Sequence, residues 1–547
     1  MKKPKSAPIF NERDFPLNLI RGNFFHGTGY EINELKEKPF IGIVNSRTDI
    51  NPGHAHLDTI SARVKEGVHA GGGIPFEFSV PAPCDGMTEG HEGMRFVLAQ
   101  RDLIADIVET HTRSMLYDGL VFIASCDKII PGMIMAAARL KLPSIFITGG
   151  PNSMQVRYRN RSNRSVDQES YTDLMDKMAT NTCATCGACE FMGTANTMQC
   201  LTEALGLSIP RSASSPAYGT EKLMFARQAG RRIVVMVEEG LTSDKILTMK
   251  AIENALMVDL AIGGSTNSAL HLPAIARTIG MELPLRAFND FAKKIPTLCA
   301  ITPNGPHGIT EFYIAGGVPA VLNRIKDDLH GDALTVTGAT IGEIAAAARV
   351  IDEEIIPDRS RPHSAEGGTV ILYGNLAPDG AVVKQSAVVP DMHVFTGTAR
   401  VFESEADCLK AIHERSLKEG EAVVIRNEGP RGGPGMPETL MVTIMLKLLK
   451  LRRVALITDG RFSGYSSGPC IGHVSPEAVV GGPIAAVRDG DRITVDIPAR
   501  RIEVNLTDDE IQKRIKDWKP VPREIPAGYM RRYARLVSSA AQGAVLE

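Results

Sequence analysis

Short apolar, β-branched runs alternate with longer stretches of helical spacing over the first half of the chain. That alternation predicts an α/β unit in which helices join the strands of one sheet. Pro39 to Val44, Phe76 to Val80, Leu120 to Ala124 and Ser144 to Thr148 read as strands. Leu57 to His69, Arg95 to Thr112 and Met133 to Leu140 read as helices, the second carrying Leu98, Leu103, Ile104, Ile107 and Val108. Each strand runs into a polar loop, and in open sheets ligands gather at the carboxyl ends of the strands. Residues 1–38 are polar and irregular, with Arg21 to Phe25 as a packing or subunit contact. Residues 152–180 are polar and read as a lid or excursion, and 215–355 are largely helical.

The texture changes after Asp358 to Gly368, a polar stretch with Pro and Gly that reads as a linker. Thr369 to Leu372, Ala422 to Arg426, Arg453 to Thr458, Arg492 to Ile497 and Arg501 to Val504 are short β runs, the last two spaced as a hairpin. The expected organisation is an N-terminal α/β domain over residues 1–365 and a C-terminal β-rich, barrel-like domain over 366–547. A chain of 547 residues is long enough for two such cores.

The loops hold the candidate chemistry. Ser125-Cys126-Asp127-Lys128 leaves the third strand, setting a soft thiol, a hard carboxylate and an amine side by side. Such a set suits two kinds of metal, although a reduced cysteine beside a surface Asp–Lys pair is the plainer reading. His54 and His56 share an earlier loop, as a metal-binding pair or as solvated side chains. Cys84 and Asp85 follow the second strand. Cys183, Cys186 and Cys189 repeat a CxxC spacing that suggests zinc or a ferredoxin-like site. No second pair follows at zinc-finger spacing, so one cysteine joining others from elsewhere fits better, and Cys183, Cys186 and Cys200 also suit a core. Gly263-Gly264-Ser265-Thr266-Asn267 is either an anion loop or a plain N-cap.

Two glycine-rich segments mark the second domain, Asn427 to Glu438 before an apolar helix and Thr458 to Gly468 after a strand. Glu438 there reads as a surface residue favoured by a helix N-terminus, and Ser463 as a turn serine. No nucleophile elbow or Ser/His/Asp pattern supports a hydrolase.

Charge is nearly balanced, with 61 basic against 63 acidic residues, so no nucleic-acid or anionic-membrane footprint is expected. A cluster-bearing RNA regulator therefore lacks its surface, and a zinc hydrolase lacks an evident general base. The absence of a long apolar run or leader, with nine cysteines, points to reduced thiols in the cytoplasm.

Taken together, Cys126-Asp127-Lys128 with Pro131-Gly132, Asp85-Gly86 with Glu92-Gly93-Met94, Gly187-Ala188-Cys189 with Thr194-Ala195-Asn196, Gly432 to Met436 and Asp459 to Gly464 resemble one family. It is the dihydroxy-acid dehydratase / 6-phosphogluconate dehydratase family, which includes aldonate dehydratases, and the motifs run in its order from about residue 38 to 480.

The resemblance implies an N-terminal α/β domain with an iron–sulfur site, a β-rich domain closing over it, and a homodimer or homotetramer. It implies loss of water from a 2,3-dihydroxy acid, with iron–sulfur and Mg²⁺ as Lewis acids. Cys126 and Cys189 then match cluster ligands, and Asp85, Asp127 and Glu438 match hard donors for Mg²⁺. Lys128 matches a carbamylated lysine and Ser463 a serine acting as the base. Members with [2Fe–2S] resemble Pro-Cys-Asn where this chain has Pro52-Gly53-His54, so [4Fe–4S] is expected, with Cys84 as the third thiolate from its place in the chain. Gly193 stands where branched-chain enzymes carry a bulky aromatic. It favours a sugar acid as substrate, with 2,3-dihydroxyisovalerate as the alternative.

Overall fold

The computed structural model describes residues 15–36, 38–153, 183–464 and 468–547, with Ser6, Ile9 and Ser466. The lid expected over 152–180 therefore lies, from residue 154 on, outside the described residues.

The N-terminal sheet has four parallel strands, β1 (Phe40–Asn45), β2 (Ile74–Ser79), β3 (Gly119–Ala124) and β4 (Ser144–Thr148), in the order β2-β1-β3-β4. Helices cover both faces, so β1, β3 and β4 are buried along their whole length, while edge strand β2 turns alternate residues outward. The helices Leu57–Ala70 and Thr220–Glu239 approach backbone to backbone at Gly67 and Gly230, where a Cβ would strike a carbonyl of the other helix. The first 38 residues are less irregular than expected. They include the helices Leu17–Gly27 and Ile32–Leu35, fixed by tertiary packing of Gly22 on Ile32 and of Phe25 on Phe40 and Phe76.

The C-terminal strands close into an eight-stranded barrel: β5 (Thr369–Gly374), β6 (Ala377–Lys384), β7 (Val394–Phe402), β8 (Glu421–Ile425), β9 (Ala455–Thr458), β10 (Cys470–Ser475), β11 (Arg492–Asp496) and β12 (Arg501–Val504). The expected hairpin is β11–β12. Three strands carry no clear β pattern in the sequence. β6 begins with turn-forming Ala377-Pro378-Asp379-Gly380, and its pairing with β5 is irregular near Leu372/Gly374. β7 contains Gly397, and β10 contains Gly472 with His473 at φ +57°. Closure of the barrel, rather than local propensity, holds these three in line.

Strands β7, β8, β9 and β10 are neighbours and mutually parallel, so β8 and β9 release their loops at the same end of the barrel. Those loops are the two glycine-rich segments. Gly435, at φ +86°, lies so close to the Arg95 carbonyl that no side chain would fit, which seats the first loop on the N-terminal domain. The chain end ties the two together again: Arg101 Nη2 donates to the Ala544 carbonyl at 2.7 Å, and Leu546 N–H donates to Asp102 Oδ1 at 3.0 Å. Among the described residues no helix is long and apolar enough to cross a membrane.

Candidate active site

Cys84 and Asp85 follow β2, Cys126, Asp127 and Lys128 follow β3, and a bridge from Pro151 to Ala188 brings Cys189 to the loop after β4, while the barrel delivers Glu438 and Ser463 from the loops after β8 and β9. Lys128, the residue before the helix Ile129–Leu140, is fully buried. Its Nζ donates to Asp85, to Asp127 Oδ2 at 3.2 Å and to Glu438 Oε1 at 3.3 Å. Glu438 is also buried, which corrects the surface reading. Its Oε1 accepts from Arg461 Nη1 at 2.7 Å and from Asn267 Nδ2 at 2.9 Å. Burial opposes ionisation of Glu438, but Lys128 and Arg461 override it and hold the carboxyl down at about 2. Burial and Arg461 would discharge Lys128, yet Asp85, Glu438 and Asp127 keep it up at about 12. Asp85 pays the cost of burial and is pushed up to about 7, with Lys128 pulling the other way. Oxygens of Asp85, Asp127 and Glu438 lie within 4.8 Å of one another, a spacing that one small divalent cation could bridge.

The thiols form the second half of the site. Cys126 is pushed well above the usual thiol range by burial first, then by Cys84, Asp127 and Cys189. Cys189 is reachable from solvent but crowded by protein, and burial followed by Cys183 and Cys84 pushes it up to about 12. The structure thus brings Cys84, Cys126 and Cys189 together from three loops. Among the described residues, Asp85, Asp127 and Glu438 alone form a three-ligand group at single-ion spacing, so these thiols are too spread for one zinc. Burial and mutual repulsion also oppose thiolate formation, so these thiols would serve as ligands only to a Lewis-acidic partner that draws off their protons. A Cβ built on Gly53 would lie 2.7 Å from Cys126 Sγ, which places position 53 on the same rim. Cys183 is exposed and Cys186 half-buried, against the reading of both as core; Cys200 is in the core.

Several site residues carry no signal of their own in the sequence. His54 is not a solvated loop side chain: it is fully buried, Nδ1 is 2.8 Å from the Ser46 carbonyl, and Nε2 accepts the Cys126 N–H at 3.0 Å. Burial holds it down at about 3, so the ring is neutral and acts as a fixed acceptor that shapes the Cys126 turn. Its partner His56 is half-buried, with Nε2 3.0 Å from the Gly149 carbonyl. Asn196 Nδ2 donates to the carbonyls of Cys189 and Phe191 at 2.5 and 2.8 Å, fixing the turn that presents Cys189. Asn267 belongs to the loop read as an anion cradle or N-cap, but it reaches Thr194 Oγ1 and Glu438 instead. Glu89 has a buried oxygen with no hydrogen-bond partner among the described residues. Burial, then Glu438 and Asp85, push its carboxyl up to about 10.

Ser463 is half-buried, two residues beyond Arg461. Gly464 rests on the turn at Gly193 and Thr194, a built Cβ lying 2.8 Å from Gly193 Cα and 3.1 Å from Thr194 N. The Ser463 loop therefore joins the acidic pocket to the Cys189 turn. Gly193 leaves no opening there, because a Cβ on it would lie 2.5 Å from the Phe191 ring.

The chain matches the models for the dihydroxy-acid/6-phosphogluconate dehydratase N-terminal part over residues 38–344 and C-terminal part over 354–544. The chain belongs to that family. It is a dehydratase, a hydro-lyase that acts on a dihydroxy acid. Its relatives include the dihydroxy-acid dehydratase of Acetivibrio thermocellus, 49% identical over 96% of each chain. The dihydroxy-acid dehydratase of Ignicoccus hospitalis is 46% identical over 94% of this chain and 96% of its own. Dihydroxy-acid dehydratase 1 of Methanosarcina acetivorans is 45% identical over 98% of this chain and 99% of its own. These relatives bear the name dihydroxy-acid dehydratase rather than that of a sugar-acid enzyme, and the space expected at Gly193 is taken up by the Phe191 ring.

Proposed function

We propose that this dehydratase converts 2,3-dihydroxyisovalerate to 2-ketoisovalerate. The observation that carries the reading is the group of half-buried Asp85 and Asp127 and buried Glu438 set beside three convergent thiols. Relatives named dihydroxy-acid dehydratases support the branched-chain substrate. Cys84, Cys126 and Cys189 would hold the cluster, a [4Fe–4S] by the glycine at position 53, and the three carboxylates would hold Mg²⁺. When bound, these groups supply Lewis acidity at the C3 hydroxyl and at the oxygens of C1 and C2.

The chain's own residues supply the rest. Arg461 and Asn267 keep Glu438 ionised and oriented before substrate arrives, which lowers the cost of binding a cation. Ser463 takes the C2 proton; a serine hydroxyl is too weak an acid to do so unaided, and cationic charge such as that of Arg461, two residues away, favours its alkoxide. The electron pair of the C2–H bond forms the C2–C3 double bond as hydroxide leaves C3. The enol then takes a proton at C3 and becomes the 2-keto acid. Lys128 would become a further oxygen donor by carbamylation, a step that requires the neutral amine. The three carboxylates oppose that state in the absence of a divalent ion.

Anaerobic purification, iron and sulfide counting, and a 2-keto acid assay on 2,3-dihydroxyisovalerate and gluconate test the proposal. Iron and sulfide in near-equal amounts, with keto acid from dihydroxyisovalerate, are expected. Turnover of gluconate alone would reverse the substrate assignment. An iron-free, inactive protein after reconstitution would remove the cysteine roles.

A further inference from the structure

We propose that the Arg461 guanidinium is braced by internal water, held between its own Nη2, His271 Nε2, His473 Nε2 and the Tyr533 hydroxyl. Through Arg461, His271, His473 and Tyr533 are positioning residues for Glu438. The part concerning Glu438 rests on the function proposed above; the water site does not.

Arg461 commits two of its three nitrogens to the pocket. Nη1 donates to Glu438 Oε1 at 2.7 Å and Nε to the Met436 carbonyl at 2.6 Å. Its Nη2 is buried and has no partner among the described residues, and the same holds for His271 Nε2, His473 Nε2 and the Tyr533 hydroxyl. None of these four residues is more than 3% exposed, so bulk solvent does not satisfy them. A buried polar atom without a hydrogen bond is costly, and several such atoms in one place call for a ligand.

The four share one neighbourhood. His473 N–H donates to the carbonyl of Gly460, the residue before Arg461, at 2.9 Å. Tyr533 belongs to one buried cluster with Met436, whose carbonyl Arg461 holds, and with Leu270, the residue before His271. His271 follows Asn267 by one helical turn, its N–H donating to the Asn267 carbonyl at 3.0 Å. Burial, then Arg101, Lys128, Arg461 and His473, hold His271 well below its usual value, and burial, then Arg461, holds His473 at about 3. Burial, then Asp102, raise the Tyr533 hydroxyl, while Arg101 and Arg461 pull it down. Both rings are therefore neutral, and all three residues lie in the field of the same guanidinium.

Donors and acceptors there suit water better than an anion. Arg101 Nη1 lies 3.4 Å from His271 Nδ1 and can only donate, so the His271 proton is on Nε2, a second donor beside Arg461 Nη2. The charge of Arg461 is met by Glu438 at 2.7 Å and that of Arg101 by Asp102 at 3.0 Å, which leaves no surplus for an anion. Water accepts from two N–H groups and donates two hydrogens, which the Tyr533 oxygen and a neutral His473 accept.

The test begins with a crystal structure of the anaerobic, iron-replete enzyme that shows ordered water, and a second from crystals grown in bromide. Density about 2.7–3.2 Å from Arg461 Nη2 and from at least two of the other three atoms is expected, with no anomalous bromide signal. Missing density, or a bromide peak at that place, overturns the proposal. His473→Phe should then lower Mn²⁺ affinity about tenfold by electron paramagnetic resonance, and His473→Gln, which keeps a hydrogen-bonding end, should restore most of it. Tyr533→Phe removes one hydroxyl and keeps the ring in its cluster, so it carries the test if His473→Phe fails to fold. It should lower both the urea midpoint and the Mn²⁺ affinity. Removing an unpaired hydroxyl would instead leave both unchanged or raised, and that result overturns the brace. A wild type that binds no Mn²⁺ would defeat the metal reading of Glu438 instead. The density and the Tyr533→Phe midpoint then decide the water site by themselves.

Discussion

Two lysines at adjacent strand ends show what burial does and does not decide. Lys128 follows β3 and Lys222 reaches the carbonyl of Thr148, the last residue of β4; both are fully buried. Lys222 donates to the Thr148 carbonyl at 3.0 Å and to the Ser212 carbonyl at 2.6 Å, and burial lowers it to about 7 despite Glu203 and Cys200. Lys128, among three carboxylates, is held at about 12. Carbonyl dipoles satisfy a buried amine without holding its charge, whereas carboxylates outweigh the desolvation that both lysines share. The first pocket therefore sets three carboxylates against Lys128 and Arg461, one negative charge in excess once Asp85 ionises above about 7, which suits a cation site. The second is a cross-link between two backbone segments.

The largest expected effect comes from breaking the first pocket. Glu438→Gln should lower kcat by roughly a thousandfold, the scale of losing a group that stabilises developing charge. It should also abolish tight Mn²⁺ binding, read by electron paramagnetic resonance. Retained Mn²⁺ affinity would show that the excess negative charge has another purpose.

Lys222→Met should act on stability instead. It leaves two buried carbonyls unpaired and should cost about 2 kcal/mol in denaturant unfolding, with kcat preserved. The pH dependence sharpens the contrast. Because the folded state lowers Lys222 from 10.5 to about 7, this residue binds more protons in the unfolded chain between those values, so its own contribution to stability rises with pH across that window. One such group contributes at most about 1.4 kcal/mol per pH unit. Lys222→Met should remove that contribution and leave the similar one of Lys384, which burial also lowers to about 7. Lys128, raised rather than lowered, keeps its contribution below pH 10.5 and loses it only as pH climbs through about 12. A variant whose pH dependence matches that of wild type would mean that Lys222 remains charged and that the two lysines are alike.

How much of this was legible in the sequence follows from the distance along the chain at which each feature is settled. The β1, β3 and β4 strands and the Cys126-Asp127-Lys128 loop are local, and hydrophobic runs with turn residues mark them. The state of Lys128 is not local, since Glu438 stands 310 residues away and Asn267 stands 171 residues from Glu438. His54 and Lys222 look like ordinary polar residues of a loop and a helix, and only the folded chain shows that each serves backbone groups. β6, β7 and β10 lack a strand pattern because barrel closure, a property of the whole sheet, supplies their order. Gly193 shows the same limit at short range: the sequence marks a missing side chain, but not the Phe191 ring turned back over it.

Asn267→Ala is the smallest change and separates charge from orientation in the Lys128 pocket. Asn267 Nδ2 donates to Glu438 Oε1 at 2.9 Å and to Thr194 Oγ1 at 2.8 Å, and Arg461 Nη1 reaches Asn267 Oδ1 at 3.3 Å. Truncation leaves Arg461 as the main brace on Glu438 while all three carboxylates stay in place. Mn²⁺ affinity should fall about tenfold, as for loss of a group that orients a metal ligand. The midpoint of unfolding should move less than for Lys222→Met, and the slope between pH 7 and 10.5 should stay as in wild type, because Lys222 is untouched. If Asn267→Ala costs as much Mn²⁺ affinity as Glu438→Gln, the pocket depends on the pose of one carboxylate rather than on its surplus of charge. The contrast between the two lysines would then describe their protonation but not their purpose.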